Sequence, residues 1–253
     1  MNTFNKCPSC AAEVDTSTNS VCPHCHFQFN TDLAPSIIQP VRRVQKLSIC
    51  ALVALLIDIT GSTRAYATGV PLIVTIILKL IAAKARETKV FVHTGGDLDY
   101  DQKCQLIANG VSPQAAIDEV AKLIYSGGGD DLETHTDSVE TVVATTPWEP
   151  DARKWRNALI ILLTADSKPS RSGITPRQLG IALKERGVLV YIVAEDYPFA
   201  RELADAAEGL FFPISNDPNP ADMQKIAEGI SQSILITAAS TATRPMTVPM
   251  AAS

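Results

Sequence analysis

The stretch Leu52-Val53-Ala54-Leu55-Leu56-Ile57-Asp58-Ile59-Thr60-Gly61-Ser62 decides how this chain is read. An apolar run ends abruptly in Asp58, and hydroxyls follow at Thr60 and Ser62. A run this short, rich in Leu, Ile and Val, suits a strand buried on both faces of a parallel sheet. The carboxyl end of such a strand is where open α/β sheets bind ligands. Asp58, Thr60 and Ser62 are hard oxygen donors of the kind that Mg²⁺ and Mn²⁺ take. The same residues also suit a plain turn capping a following helix, so this stretch alone leaves both readings open.

Downstream, the pattern alternates. The first strand is expected over residues 46–59 and a largely apolar helix over 70–84, with Pro71 in its first turn. A strand over 89–94 and an edge strand over 103–108 are close enough to pair as a hairpin. Ser112-Pro113 supplies the N-cap and first position of a helix running to about residue 125. The loop at 126–134 combines glycines with carboxylates and holds no Lys, so it repels phosphate unless a cation intervenes. A helix to about 145, a connection in which Trp148 and Trp155 cover the core, and a buried strand over 157–164 follow. Thr175-Pro176-Arg177-Gln178 has the capping-box pattern and starts a helix to Arg186, ended by Gly187. A strand over 188–194, a helix over 198–208 and a strand over 210–214 come next. Asn219 caps a last helix with Met223, Ile226, Ala227, Ile230 and Ile234 on one face. This order implies an α/β fold: a doubly wound, mainly parallel sheet with one antiparallel edge strand and helices on both faces.

With 253 residues, 46% of them hydrophobic, the chain holds one sizeable domain plus something small. A net charge of −5 gives no general attraction to nucleic acid or to anionic membrane. The apolar stretches at 47–57 and 70–83 are shorter than the roughly 20 residues a spanning helix needs, and the polar N-terminus is not a signal peptide. A cytoplasmic protein without membrane contact is the expectation.

The small part is N-terminal. Cys7-Pro8-Ser9-Cys10 and Cys22-Pro23-His24-Cys25 form two knuckles with the spacing of a tetrahedral Zn²⁺ site. The arrangement resembles the short zinc ribbons at the ends of many bacterial proteins, with Ala11 and His26 where those usually carry Gly. Four thiolates complete the shell without His24 or His26. A pair of disulfides is the competing reading. The expected organisation is a ribbon at 1–29, a linker at 30–45, the large domain at 46–237 and a disordered tail at 238–253. Cys50 and Cys104 read as buried inert thiols, and His93 and His135 as ordinary surface or loop residues.

Over residues 46–237 the chain resembles a von Willebrand factor A domain, the integrin-I-type fold. The resemblance rests on Asp58-x-Thr60-x-Ser62, on Asp166 in Leu162-Leu163-Thr164-Ala165-Asp166, and on Gly128-Gly129-Asp130. Residues 127–133, Trp155-Arg156 and Asp166-Ser167-Lys168-Pro169 echo one branch of the family, with Leu132 in place of its Pro. The resemblance implies a metal-ion-dependent adhesion site holding Mg²⁺ or Mn²⁺. Thr60 and Ser62 would ligate directly, and Asp58 and Asp166 directly or through water. The third loop would contribute Asp130, Asp131 or Thr134, with Asp130 favoured. In such a sheet the first and fourth strands flank the topological switch point, where Asp58 and Asp166 converge.

The function so implied is a non-enzymatic protein-binding module. An Asp or Glu of an unidentified protein partner completes the ion's coordination, and the zinc ribbon serves as a second docking element. A phosphatase or other Mg-dependent hydrolase using Asp58 is the alternative, but such a motif needs a second Asp where Thr60 stands. The other alternative is a ribbon-led scaffold or nucleic-acid-associated protein with a degenerate metal site. Basic residues near the ribbon are sparse (Lys6, Arg42, Arg43, Lys46), so nucleic acid is not an expected partner.

Overall fold

The computed structural model describes residues 4–6, 12–15, 23–24, 49–128, 131–215, 219–240, 242 and 244–247. The chain divides into two compact units, Met1–Arg43 and Val44–Ser253. In the smaller unit, β1 (Phe4–Lys6) pairs antiparallel with β2 (Glu13–Asp15), Lys6 opposite Glu13. Pro23 and His24 form a turn. Cys7, Cys10, Cys22 and Cys25, the expected zinc ligands, lie outside the described residues.

The larger unit begins with β3 (Cys50–Asp58), every residue of which is buried. It continues through α1 (Gly69–Lys84), β4 (Thr88–Gly95), β5 (Gln105–Val111), α2 (Pro113–Val120), β6 (Leu132–Glu133), α3 (His135–Thr145), β7 (Trp155–Leu162) and β8 (Asp166–Ser167). It closes with α4 (Pro176–Glu185), β9 (Val188–Ala194), α5 (Pro198–Ala206), β10 (Leu210–Pro213) and α6 (Pro220–Ala238). Among the described residues, six strands form one sheet in the order β10-β9-β7-β3-β4-β5. All neighbours are parallel except β4 and β5. The mainly parallel sheet with one antiparallel edge is therefore as the sequence implies.

Alternation along β3 builds both layers of the core. Ala51, Val53, Leu55 and Ile57 face α1, α2 and α6, meeting Ile73, Ile77, Val120 and Ile230. Cys50, Leu52, Ala54 and Leu56 face α3, α4 and α5, meeting Val139, Leu183 and Leu203. A strand buried on both faces needs no polar residue until it ends, which is why the first charge is Asp58. Among the described residues, no helix is long and apolar enough to cross a membrane.

Most boundaries shift by a few residues from the sequence expectation, and some of the shifts have a visible local setting. β5 starts at Gln105 because residues 98–100 form a short helical turn, capped by Asp97 and followed by Asp101 in the left-handed region. α2 stops at Val120 instead of running to 125, because the chain turns back over the sheet and Ser126 N–H donates to Ile59 O at 2.9 Å. β7 begins at Trp155, whose ring lies 4.4 Å from Lys89 Nζ. The caps at Ser112, Thr175 and Asn219 all form as their residue types dictate.

His93 and His135 are not surface residues. Both are fully buried, His93 in β4 and His135 at the first position of α3.

Candidate metal centre

Strand order reverses between β3 and β7, so their carboxyl ends open into the crevice where such sheets bind ligands. The pairing puts Ile57 opposite Leu162, which brings the residues just beyond, Asp58 and Thr164, side by side. Asp58 is fully buried. Its Oδ1 accepts from Thr60 N–H at 2.8 Å and from the Thr60 hydroxyl at 2.7 Å. Its Oδ2 accepts from the Thr164 hydroxyl at 2.9 Å. The hydroxyls form a continuous chain: Thr60 to Ser62 at 3.0 Å, Ser62 to Thr164 at 2.9 Å, and Thr164 to Thr63 at 2.7 Å. Ser62 is exposed and gives this buried cluster its opening to solvent.

The glycine-rich loop lies over the cluster. Gly61 N–H donates to Gly127 O at 2.8 Å. Gly128 has φ +69°, and a Cβ there would come within 2.7 Å of Glu133 Oε1 and 3.4 Å of Thr60 Cβ. Only glycine meets both conditions. Of the candidate third-loop donors, Asp130 lies outside the described residues and Asp131 is exposed. Thr134 is committed elsewhere: its hydroxyl donates to Gly96 O at 3.0 Å and accepts from Leu98 N–H at 2.9 Å. The carboxylate lying against Gly128 is Glu133, which is buried.

Asp166 stands at the end of the segment following β7, half-buried, and is not hydrogen-bonded to Asp58. Its Oδ1 accepts from Ser167 N–H at 2.9 Å and from Phe199 N–H at 3.3 Å, so it caps α5. Asp166 also borders a cleft of about 320 Å³ between the 166–176 loop and the start of α5. A larger cleft of about 530 Å³ lies at the opposite end of the strands, beside Trp155, Arg156 and the end of α6. There the Arg156 guanidinium is committed to the carbonyls of Thr237 and Ser240, at 2.9 and 2.7 Å.

His135 completes the surroundings of Asp58. Its Nε2 lies 3.7 Å from Asp58 Oδ2, and neither ring nitrogen has a hydrogen-bond partner. Burial holds its pKa below the ordinary histidine value, against the opposing pull of Asp58, Asp166 and Asp97. The neutral imidazole therefore faces a carboxylate with its nitrogens unused. The buried Tyr125 hydroxyl is also without a partner, and burial together with the Asp58 charge raises its pKa to about 12. Further out, Lys168 Nζ bridges buried Asp97 and exposed Asp99 at 2.9 and 2.6 Å.

Among the described residues, no three His, Cys, Asp or Glu side chains stand together to hold an ion. The donor set is instead a carboxylate with hydroxyls. That set fits a hard divalent ion. The orphaned nitrogens of His135 fit one too, because an unsatisfied buried polar group is costly unless something absent from the chain itself satisfies it. Thr164 and His135 join the candidate site only in the folded chain. A hydroxyl at the end of the strand flanking the switch point was the available signal for Thr164; nothing local pointed to His135.

No protein-family model and no curated protein matches this chain. Solved structures do. It is similar to a von Willebrand factor type A protein from Catenulispora acidiphila, with a TM-score of 0.50 and 17% identity over 74% of this chain and 43% of that one. It is similar also to proximal thread matrix protein 1 of the mussel byssus, with a TM-score of 0.53 and 15% identity over 73% of this chain and 46% of that one. The chain thus spans less than half the length of either solved protein. At these identities the likeness is one of fold: the larger unit has a von Willebrand factor A-like fold.

Proposed function

We propose that this protein is a non-enzymatic, metal-ion-dependent protein-binding module whose centre lies at the carboxyl ends of β3 and β7. The observation that carries the reading is the convergence of Asp58, Thr60, Ser62 and Thr164 into one oxygen cluster with a single exposed member, Ser62. Asp58, Thr60 and Ser62 would hold a divalent ion, Mg²⁺ or Mn²⁺, with Asp166 and the third loop, including Asp130, at its margin. When bound, that ion supplies concentrated positive charge and a coordination position for a carboxylate of a partner protein. Thr60 and Thr164 hold the Asp58 carboxylate in one orientation, so little reorganisation accompanies binding. The cleft beside Asp166 offers room for partner side chains flanking the carboxylate.

The four N-terminal cysteines, Cys7, Cys10, Cys22 and Cys25, would hold a structural Zn²⁺ and make the small unit a second docking element. Metal analysis of purified protein tests this, with about one zinc per chain expected from the four-ligand shell and loss in Cys7→Ser.

The test of the main reading is calorimetric titration of Mg²⁺ and Mn²⁺ into zinc-loaded protein and into a folded Asp58→Ala variant. Saturable binding that the variant lacks is the expected result. Equal heats from both proteins would sink it. Partner capture with and without chelator then follows.

A further inference from the structure

We propose that His135 is itself a ligand of the centre, so that the centre favours a transition-series ion that accepts imidazole nitrogen, such as Mn²⁺, Co²⁺ or Zn²⁺, over Mg²⁺. This rests on the metal-centre reading above and names which class of ion that centre takes.

The argument begins with an accounting problem. His135 is fully buried, yet neither Nδ1 nor Nε2 has a hydrogen-bond partner. Leaving a buried polar atom unsatisfied is costly, and an apolar side chain in that position avoids the loss. The chain nevertheless places a histidine there, at the start of α3 and beside Phe199, whose ring centroid lies 6.3 Å away. The ring points one nitrogen at the central carboxylate: Nε2 is 3.7 Å from Asp58 Oδ2. That gap is too long for a hydrogen bond. It is close to the spacing of two donors sharing one ion, each about 2.1 Å from it at a wide angle.

Ligand chemistry then sets the preference. A cage of carboxylate, hydroxyl and water suits Mg²⁺, whereas an imidazole nitrogen favours the later divalent ions. His135 and the Thr164 hydroxyl face Asp58 Oδ2 while the Thr60 hydroxyl bonds Oδ1, so the donors around Asp58 are a mixture of nitrogen and oxygen. Asp58 remains the shared member, so one substitution there removes the centre, while one at His135 alters only its selectivity.

Pulsed electron paramagnetic resonance on Mn²⁺-loaded protein supplied with only about one zinc per chain, enough for the four thiolates, tests the proposal, with Mn²⁺ and Mg²⁺ affinities measured in parallel. The variants are His135→Asn and His135→Leu; the second replaces an unsatisfied polar group with an apolar one and keeps the fold testable if the first does not fold. The wild type is expected to show nitrogen modulation on the Mn²⁺ signal. Both variants are expected to lose it, with Mn²⁺ affinity falling about tenfold or more and Mg²⁺ affinity little changed. Bound Mn²⁺ without nitrogen modulation, or modulation surviving in the variants, overturns the proposal and leaves the metal centre standing. Absence of any saturable Mn²⁺ binding to the wild type overturns both.

Discussion

The Thr164 hydroxyl lies 2.9 Å from Asp58 Oδ2, across 106 residues of sequence. It also meets the hydroxyls of Ser62 and Thr63 at 2.9 and 2.7 Å, so it is the hub that ties the two central strand ends together. Thr164→Val keeps the shape and removes the hub. The expected outcome is a loss of roughly 1–3 kcal/mol in stability, because Asp58 is buried and loses a donor. A drop of about tenfold in Mn²⁺ affinity should accompany it. Urea unfolding and calorimetry check the two effects separately.

Gly128→Ala tests the loop. The residue has φ +69°, and its new Cβ would press on Glu133 Oε1. A penalty of about 1–3 kcal/mol is expected, from the left-handed backbone alone. Because Gly128 borders Thr60, metal affinity should fall as well. Unfolding midpoints measured with and without Mn²⁺ would separate strain from lost binding.

His93 makes stability depend on pH. It is fully buried in β4, with Nε2 3.1 Å from the Thr146 hydroxyl, and burial lowers its pKa from 6.5 to about 4. Between these values the unfolded chain takes up a proton that the folded chain refuses, so acid favours unfolding. The stabilisation is therefore complete above pH 6.5 and is lost as pH falls toward 4. The loss amounts to roughly 3 kcal/mol over that interval. Urea unfolding from pH 7 to 4.5 should give a visibly shallower slope for His93→Leu than for the wild type.

Arg156→Met probes the far end of the sheet. The guanidinium donates to Thr237 O and Ser240 O at 2.9 and 2.7 Å, closing the C-terminus of α6 onto β7. Charged hydrogen bonds of this kind contribute about 1.5–3 kcal/mol each, so a fall of at least about 2 kcal/mol is expected. Metal affinity should not change. Loss of metal binding with retained stability would contradict the separation of the two ends.

Local chemistry made much of the fold legible. The strand at Val188–Ala194 appears with the expected ends, and Thr175 with Gln178 forms its capping box. These features depend on neighbours in sequence. Asp58, Thr60 and Ser62 come together because they are two residues apart at a strand end. His135 was opaque for the opposite reason. It sits among polar residues, in Thr134-His135-Thr136, and such a run reads as surface. All three are buried, because distant partners draw in the two threonines that flank the histidine: Thr134 bonds Gly96 and Leu98, and Thr136 bonds Ser167. Thr164 likewise gains its meaning only from the pairing of β7 with β3.

That pairing also dictates when the centre can exist. β3 emerges early in synthesis, but its neighbour β7 follows only after roughly a hundred residues that hold α1, the β4–β5 hairpin, α2 and α3. Closing so long a loop is entropically unfavourable until both strands can pack. A nascent chain that has made Asp58 but not Thr164 therefore lacks the complete oxygen cluster. An ion held there would reward the finished sheet alone, drawing the chain from partly folded forms into the native one.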